Sequence, residues 1–283
     1  MLREKKMEKN YDILEFYKII NELIDLSRLE KTKEKFLDID IIKEKSVLDK
    51  ELMLMMEMID FYKYDDGLEL AGLADITRMM NSIDIIGSYL SAEDLAVLKK
   101  NLTIFRISKS RAKNVRDKYR AIWNLFSDVE EVKDIENFIS EAINDEGVLK
   151  DDASIGLRDV RRQKQNINAN IKEKFDELIS NKNTQNAIQE RIVTQRNDRY
   201  VIAVKTDFKG LVKGIEHDRS ATGSTVYIEP LNVVSLNNKL REYEAREREE
   251  IRKILLRITE IVKTKKEEIL EIKEILERLD FID

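Results

Sequence analysis

The stretch "GIEHDRSATGSTVYIEP", Gly214 to Pro230, concentrates the chain's chemistry and holds its only histidine and only proline. His217 stands between Glu216 and Asp218, a grouping that suggests metal ligation or an acid–base pair. Zinc requires further ligands at defined spacing, and neighbours along an extended strand point to opposite faces. The residues favour a structural reading, in which His217, Asp218 and Arg219 fix a turn by hydrogen bonds, and no metal site is expected. "SATGS" has the composition of a phosphate-binding turn, but a strand pattern follows it where such loops need a helix N-terminus. Gly223 is expected to supply a positive φ between strands, and Gly210 and Gly214 to do the same or to mark bulges. No nucleophile and base stand together, so no catalytic residue is expected in this chain.

Binding is the better supported chemistry. From Arg191 to Glu229 there are seven cations, Arg191, Arg196, Arg199, Lys205, Lys209, Lys213 and Arg219, against five carboxylates. Arg158, Arg161, Arg162 and Lys164 add a second basic patch. Such residues contact phosphates without reading bases, or form an ordinary solvated rim. The window from Lys99 to Arg120 is more lopsided still, with nine basic residues and one acidic. Leu102, Phe105, Ala112 and Val115 mark a buried stripe in it, which leaves either a solvated basic face or a phosphate-facing one.

The elements that position these residues follow from composition and period. The chain has 283 residues, one proline and eight glycines, which points to mostly helix. Its formal charge is −5, so a polyanion-binding surface must be a local patch. Absence of cysteine excludes disulfides and thiolate metal sites. The charged start "MLREKKMEKNYDILEF" lacks a secretory apolar region, no stretch reaches the roughly 20 apolar residues of a membrane span, and cytoplasm is expected.

Residues 1–145 read as a helical core domain. Ile13, Phe16, Ile20, Leu23 and Ile24 fall on one helical face, Ser91 and Asp94 form a capping box, and the methionine-rich "LMLMMEMI" suggests core or a helix contact. Residues 146–190 contain a long outgoing helix with a narrow apolar seam of Leu157, Val160, Ile167, Ile171 and Phe175. Residues 191–230 turn to period two: Tyr200, Ile202 and Val204 oppose Val201, Ala203 and Lys205, and Val226 and Ile228 oppose Tyr227 and Glu229. Pro230 stands where a helix begins, and residues 231–283 contain no glycine or proline. A continuous helix there would span about 75 Å. Its polar middle "REYEAREREE" suggests an exposed stalk. The expected fold is mainly α: a helical core with two long antiparallel lever helices capped by a small antiparallel β clamp element.

"RNDRYVIAVKTDFKGLVKGIEHDRSATGSTVYIEPLNVVSLNNKLREYEAREREEI", with "EGVLKDDASIGLRDVRRQ" and "DILEFYKII", resembles the lever and clamp region of the MutS superfamily, most closely its second bacterial subfamily. The resemblance implies a homodimeric full-length protein with helical core, levers, clamps, an ABC-type ATPase domain and a C-terminal Smr nuclease domain. It implies partners too: branched or recombination-intermediate DNA, in suppression of recombination, or the ribosome, in rescue of collided ribosomes. The chain contains no G-x-x-x-x-G-K-[ST] loop. ATP and Mg are therefore expected only in an ATPase domain outside this sequence, as is the nuclease.

Overall fold

A computed structural model describes residues 14–283. The basic start of the chain and Ile13 lie outside the described residues. The chain divides into two compact units, residues up to Lys150 together with Leu255–Asp283, and Asp151–Ile254. The helical class with one small antiparallel sheet is as the sequence implies.

The first unit is built from α1 (Phe16–Leu26), α2 (Glu30–Leu37), α3 (Lys45–Tyr64), α4 (Thr77–Ser82), α5 (Ala92–Asn114), α6 (Arg120–Phe126), α7 (Lys133–Ala142) and the C-terminal α10 (Lys266–Ile282). Helix α5 is its axis, and Leu95, Leu98, Leu102 and Phe105 on its buried side are almost inaccessible. The Ser91 hydroxyl accepts from the Asp94 amide and the Asp94 carboxylate accepts from the Ser91 amide, so the helix starts with a complete capping box. The Asp280 carboxylate of α10, itself buried, accepts from the amides of Arg28 and Leu29 at 3.1 and 3.0 Å and ties down the entry to α2. Only Ile20 of the apolar face of α1 is fully buried, and Phe16, Leu23 and Ile24 are half-buried.

The second unit consists of α8 (Ile155–Ser180), four strands, a short 3-10 turn (Thr206–Leu211) and the first part of α9 (Leu231–Thr264). The strands β1 (Ile188–Arg196), β2 (Arg199–Lys205), β3 (Gly214–Arg219) and β4 (Thr225–Pro230) form an antiparallel sheet in the order β1-β2-β4-β3. One sheet face carries Ile202, Val204, Val226 and Ile228 against Ile167, Ile171 and Phe175 of α8 and Val233 and Leu240 of α9. Period two in the strands meets a three-to-four spacing in the helices, which is why both patterns coexist within 75 residues. Helix α9 follows Pro230 directly, a residue whose fixed φ suits a first turn.

Three expectations need correction. The C-terminal helix is not continuous: α9 ends at Thr264, Lys265 leaves the helical region at φ −116° and ψ 23°, and α10 starts anew. The Thr264 hydroxyl donates to the Ile261 carbonyl at 2.7 Å, a local bond that competes with the helical ladder. Gly210 and Gly214 do not adopt positive φ, whereas Gly223 does, at +73°. The irregularity in β3 lies between Glu216 and Asp218, at His217 and at neither glycine.

Gly214 is required for another reason. A Cβ there would lie 2.2 Å from the Glu229 carbonyl oxygen and 2.4 Å from Ile228 Cγ2 on the paired strand, while one at Gly210 would meet nothing. Gly214→Ala is expected to destabilise by about 2–3 kcal/mol through this overpacking, and Gly210→Ala to be neutral or stabilising by up to about 1 kcal/mol. Urea denaturation followed by circular dichroism checks the pair, and equal effects would refute the account.

Candidate nucleic-acid interface

The sheet face opposite the apolar core is built around one carboxylate. Register places Ala203 beside Tyr227 and Val201 beside Thr194, and Glu229 follows on the same side of β4. The Glu229 side chain is inaccessible to solvent. Three donors converge on it: Arg199 Nη1 at 2.8 Å and Asn237 Nδ2 at 2.8 Å on Oε1, and His217 Nε2 at 2.6 Å on Oε2. Asn237, on the first turns of α9, also pairs with the backbone of Tyr200, accepting from its amide and donating to its carbonyl. Arg199 reaches Asn238 at 2.7 Å with its second nitrogen. Burial works to raise the Glu229 pKa, but the hydrogen bonds from Asn237, His217 and Arg199 outweigh it and hold the carboxyl below its ordinary value. Strands β2, β3 and β4 and helix α9 are thereby joined at one point.

The remaining candidates divide by what neutralises them. Arg196 donates to Asp218 at 3.1 Å and lies 4.2 Å from the Tyr227 ring centroid. Arg219 pairs with Glu216, and Lys209 approaches the same carboxylate at 3.8 Å. Arg161 bridges Glu247 at 2.9 Å and Asp151 at 2.5 Å, Lys164 also pairs with Glu247, and Arg162 pairs with Asp159. Burial raises the Glu247 pKa, and Lys164 and Arg161 more than reverse this. Lys205 donates to the Asn186 carbonyl, at 3.3 Å, and has no carboxylate partner among the described residues. Arg191, Lys213 and Arg158 are exposed and make no ion pair among the described residues. Arg191 lies on β1 and Lys213 immediately precedes β3, the two outer strands. Three strand spacings separate those edges, about 14 Å.

Sequence patterns missed the acceptors. Asn237 gives no sign within a helical run, and Glu247 reads as one more charge in "REYEAREREE". That segment is no free stalk on the α8 side: Glu247 receives Arg161 and Lys164, so polar residues zip the helices where the apolar seam stops. The one available signal was alternation, which sets Glu229 on the Tyr227 side of β4, facing the side of β2 on which Arg199 falls.

Elsewhere the structure separates what the sequence grouped. In the Lys99–Arg120 window, Leu102, Phe105 and Ala112 are buried as the stripe requires, while Val115, just past the end of α5, is half-buried. Lys99 pairs with Asp145, Arg106 with buried Glu136, Arg111 with Glu69 and Lys118 with Asp65. Lys109 donates to the Val129 carbonyl. With Arg116 beside Asp117 at 4.0 Å, five of the nine basic residues of the window are thus ion-paired inside the first unit. Gly223 closes the β3–β4 turn, with its amide donating to the Ser220 carbonyl at 2.8 Å. Among the described residues, no group of three His, Asp or Glu side chains is arranged to hold a metal ion. Nor, among them, is any helix long and apolar enough to cross a membrane.

The Glu229 centre gives a pH prediction. Its pKa is lower folded than unfolded, so at pH above the ordinary glutamate value near 4.5 both states are ionised and the full stabilisation is present. As pH falls below that value the unfolded state binds the proton first, and stability is lost on approach to the depressed folded pKa. Glu229→Ala is expected to cost about 3–5 kcal/mol near neutral pH, since it strands buried donors. Glu229→Gln should flatten the acid limb of stability against pH relative to the parent chain. Parallel acid limbs in urea melts between pH 6 and 3.5 would refute the assignment.

No family model matches the chain. Similar proteins are nonetheless clear. Endonuclease MutS2 of Fusobacterium nucleatum is 43% identical over 274 residues, 97% of this chain and 35% of that protein. Endonuclease MutS2 of Caldanaerobacter subterraneus is 34% identical over 278 residues, again 97% and 35%. The Aquifex aeolicus protein of the same name is 33% identical over 284 residues, 99% and 36%. The chain therefore spans about a third of the length of the relatives it matches. Identity sustained over nearly its whole length takes in both the helical unit and the sheet unit, and the chain belongs to the MutS2 family.

Proposed function

We propose that this chain is the nucleic-acid-gripping portion of a MutS-family protein of the DNA repair and recombination class. It holds branched or recombination-intermediate DNA by phosphate contacts from the sheet unit and lacks catalysis of its own. The observation that carries this reading is the charge sorting in that unit. Arg196, Arg199 and Arg161 are committed to carboxylates, and of the basic residues singled out in the sequence of that unit, those left without a carboxylate partner among the described residues are Arg191 and Lys213 at the two sheet edges, Arg158 on α8, and Lys205. Cations without internal partners reach phosphates at no cost in broken ion pairs, and phosphate contacts suit a partner recognised by shape.

No G-x-x-x-x-G-K-[ST] phosphate loop occurs in the sequence. On this reading ATP and magnesium act elsewhere in the full-length protein, in an ATPase domain that opens and closes the grip, with two copies acting together. Helices α8 and α9 run antiparallel within the sheet unit, as the contacts of Gly156 with Glu250 and Arg161 with Glu247 require. Their ionic zip makes a stiff mount for the contact surface. The nuclease activity in the relatives' name would likewise belong to sequence outside this third.

The test is Arg191→Glu with Lys213→Glu, which leaves the Glu229 centre intact. Fluorescence anisotropy with a four-way DNA junction should show weaker binding, and the slope of log affinity against log salt should fall by about one per lost phosphate contact. Unchanged affinity and slope would overturn the proposal in favour of a module that contacts only protein. Ribosomal particles offer the same phosphates, and if they displace the junction at equal nucleotide concentration, the partner is the ribosome.

A further inference from the structure

The short turn Thr206–Leu211 presents two apolar side chains to solvent on a rigid mount. Its residues form a 3-10 helix, in which positions three apart eclipse one another, so Phe208 and Leu211 share one face. They are 46% and 50% exposed. Val212, at the end of the turn, is buried in the core of the sheet unit. The Thr206 amide and hydroxyl donate to the Ser224 and Gly223 carbonyls at 3.0 and 2.6 Å, and the Lys213 carbonyl accepts from the Leu231 amide at 3.1 Å. Both ends of the turn are thus tied down. Of the five aromatic residues of the sheet unit, Phe175 is buried, Tyr200, Tyr227 and Tyr243 are half-buried, and Phe208 alone is exposed.

The surroundings of this ring indicate what covers it. Lys205, Lys209 and Lys213 recur at steps of four around it, against one acid, Asp207. Lys205 and Lys213 have no carboxylate partner among the described residues, and Lys209 stands 3.8 Å from Glu216 with half of its side chain exposed. At about 2 Å of rise per residue, Lys209 and Lys205 lie about 2 and 6 Å from Phe208 along the turn, within two base steps of about 3.4 Å. A stable protein interface takes about 800 Å² from each partner, around a centre depleted of charge. Two apolar side chains among lysines do not make one. An aromatic ring between cations is the combination that holds an unstacked base together with its phosphates. Gly210 suits the same use: its φ is not left-handed and a Cβ there would meet no atom, so nothing inside the chain requires a glycine. Bare backbone at that point lets a strand approach closely.

We propose that this turn is a wedge for branched DNA: Phe208, with Leu211 on the same face, stacks on a base left unstacked at the branch point, and Lys205, Lys209 and Lys213 hold the phosphates on either side. The inference rests on the reading of the sheet unit as a DNA grip and goes beyond it, because phosphate contacts alone do not tell a branch from a linear duplex. In a continuous duplex the same base would first have to be unstacked.

The test uses the chain as it is and compares a four-way junction with a linear duplex of equal length by fluorescence anisotropy. Phe208→Ala should cut the ratio of junction to duplex affinity about tenfold, the effect of one base stacked on one ring, and keep the parent's salt slope, since stacking releases no counterions. Arg191→Glu with Lys213→Glu acts on that slope, so the two readings fail in different ways. Phe208→Trp should retain the ratio, and its added emission should be quenched by the junction more than by the duplex. Trp123, the chain's only tryptophan, gives the baseline in the parent. The replaced side chain is exposed, so circular dichroism of both variants should match the parent. A parent chain that binds neither DNA overturns this proposal together with the reading beneath it. A Phe208→Ala chain that keeps the parent's ratio, or a tryptophan variant quenched alike by both DNAs or by neither, overturns the wedge alone, and the ring then belongs to a protein contact.

Discussion

Burying the Glu229 carboxylate is the constraint around which the sheet unit is organised. Taking a carboxylate out of water costs several kcal/mol even after relaxation, and its stabilisation must come from converging donors. Arg199, Asn237 and His217 supply them from β2, α9 and β3, so no one of these elements can shift without exposing an unpaired charge. The irregularity in β3 makes sense in this light: an extra residue at 217 lets the imidazole reach the inner strand while Asp218 stays opposite Tyr227 for Arg196. The only histidine is therefore a structural donor, and its carboxylate neighbours in sequence are not its partners in space.

A second constraint operates along α8 and α9. Apolar contacts from Ile167 to Phe175 and from Val233 to Leu240 hold the helices to the sheet. Past that zone the seam has no sheet to cover it, and Arg161, Lys164 and Glu247 take over. Two cations on one half-buried carboxylate resist sliding better than exposed pairs, whose net value is near zero to 1 kcal/mol. Rigidity along this pair follows from exchanging one kind of contact for another as burial declines.

What could be read in the sequence was what depends on period and backbone. The helix with its Ser91–Asp94 box, strands β2 and β4, the turn at Gly223 and the helix start after Pro230 all follow from local rules. Strand β3 escaped because its one-residue irregularity disrupts alternation at His217. The break at Lys265 escaped because no glycine or proline marks it, only a threonine hydroxyl turned back on its own helix. The acceptors Glu229 and Glu247 escaped for a deeper reason: whether a carboxylate is a solvated surface charge or a buried hub depends on donors 8 to 86 residues away. The same ambiguity runs the other way for "LMLMMEMI", where composition suggests core but only Leu54 and Met58 enter it.

The sorting of cations bears directly on how such a chain can bind. With 51 basic and 56 acidic residues, proximity alone would make many ion pairs, and an arginine beside a carboxylate offers little to a phosphate. Electrostatic capacity is then set by the few side chains left over, not by total charge. Arg191 is held on one outer strand and Lys213 immediately before the other, on a sheet whose other face is packed, so their backbones are fixed while their side chains are exposed to solvent. Contacts so few give weak, salt-sensitive binding to any one phosphate run. On the proposed reading, affinity for a branched structure would come from two or more such surfaces acting at once, for which the effective concentration of the second contact matters more than the strength of the first.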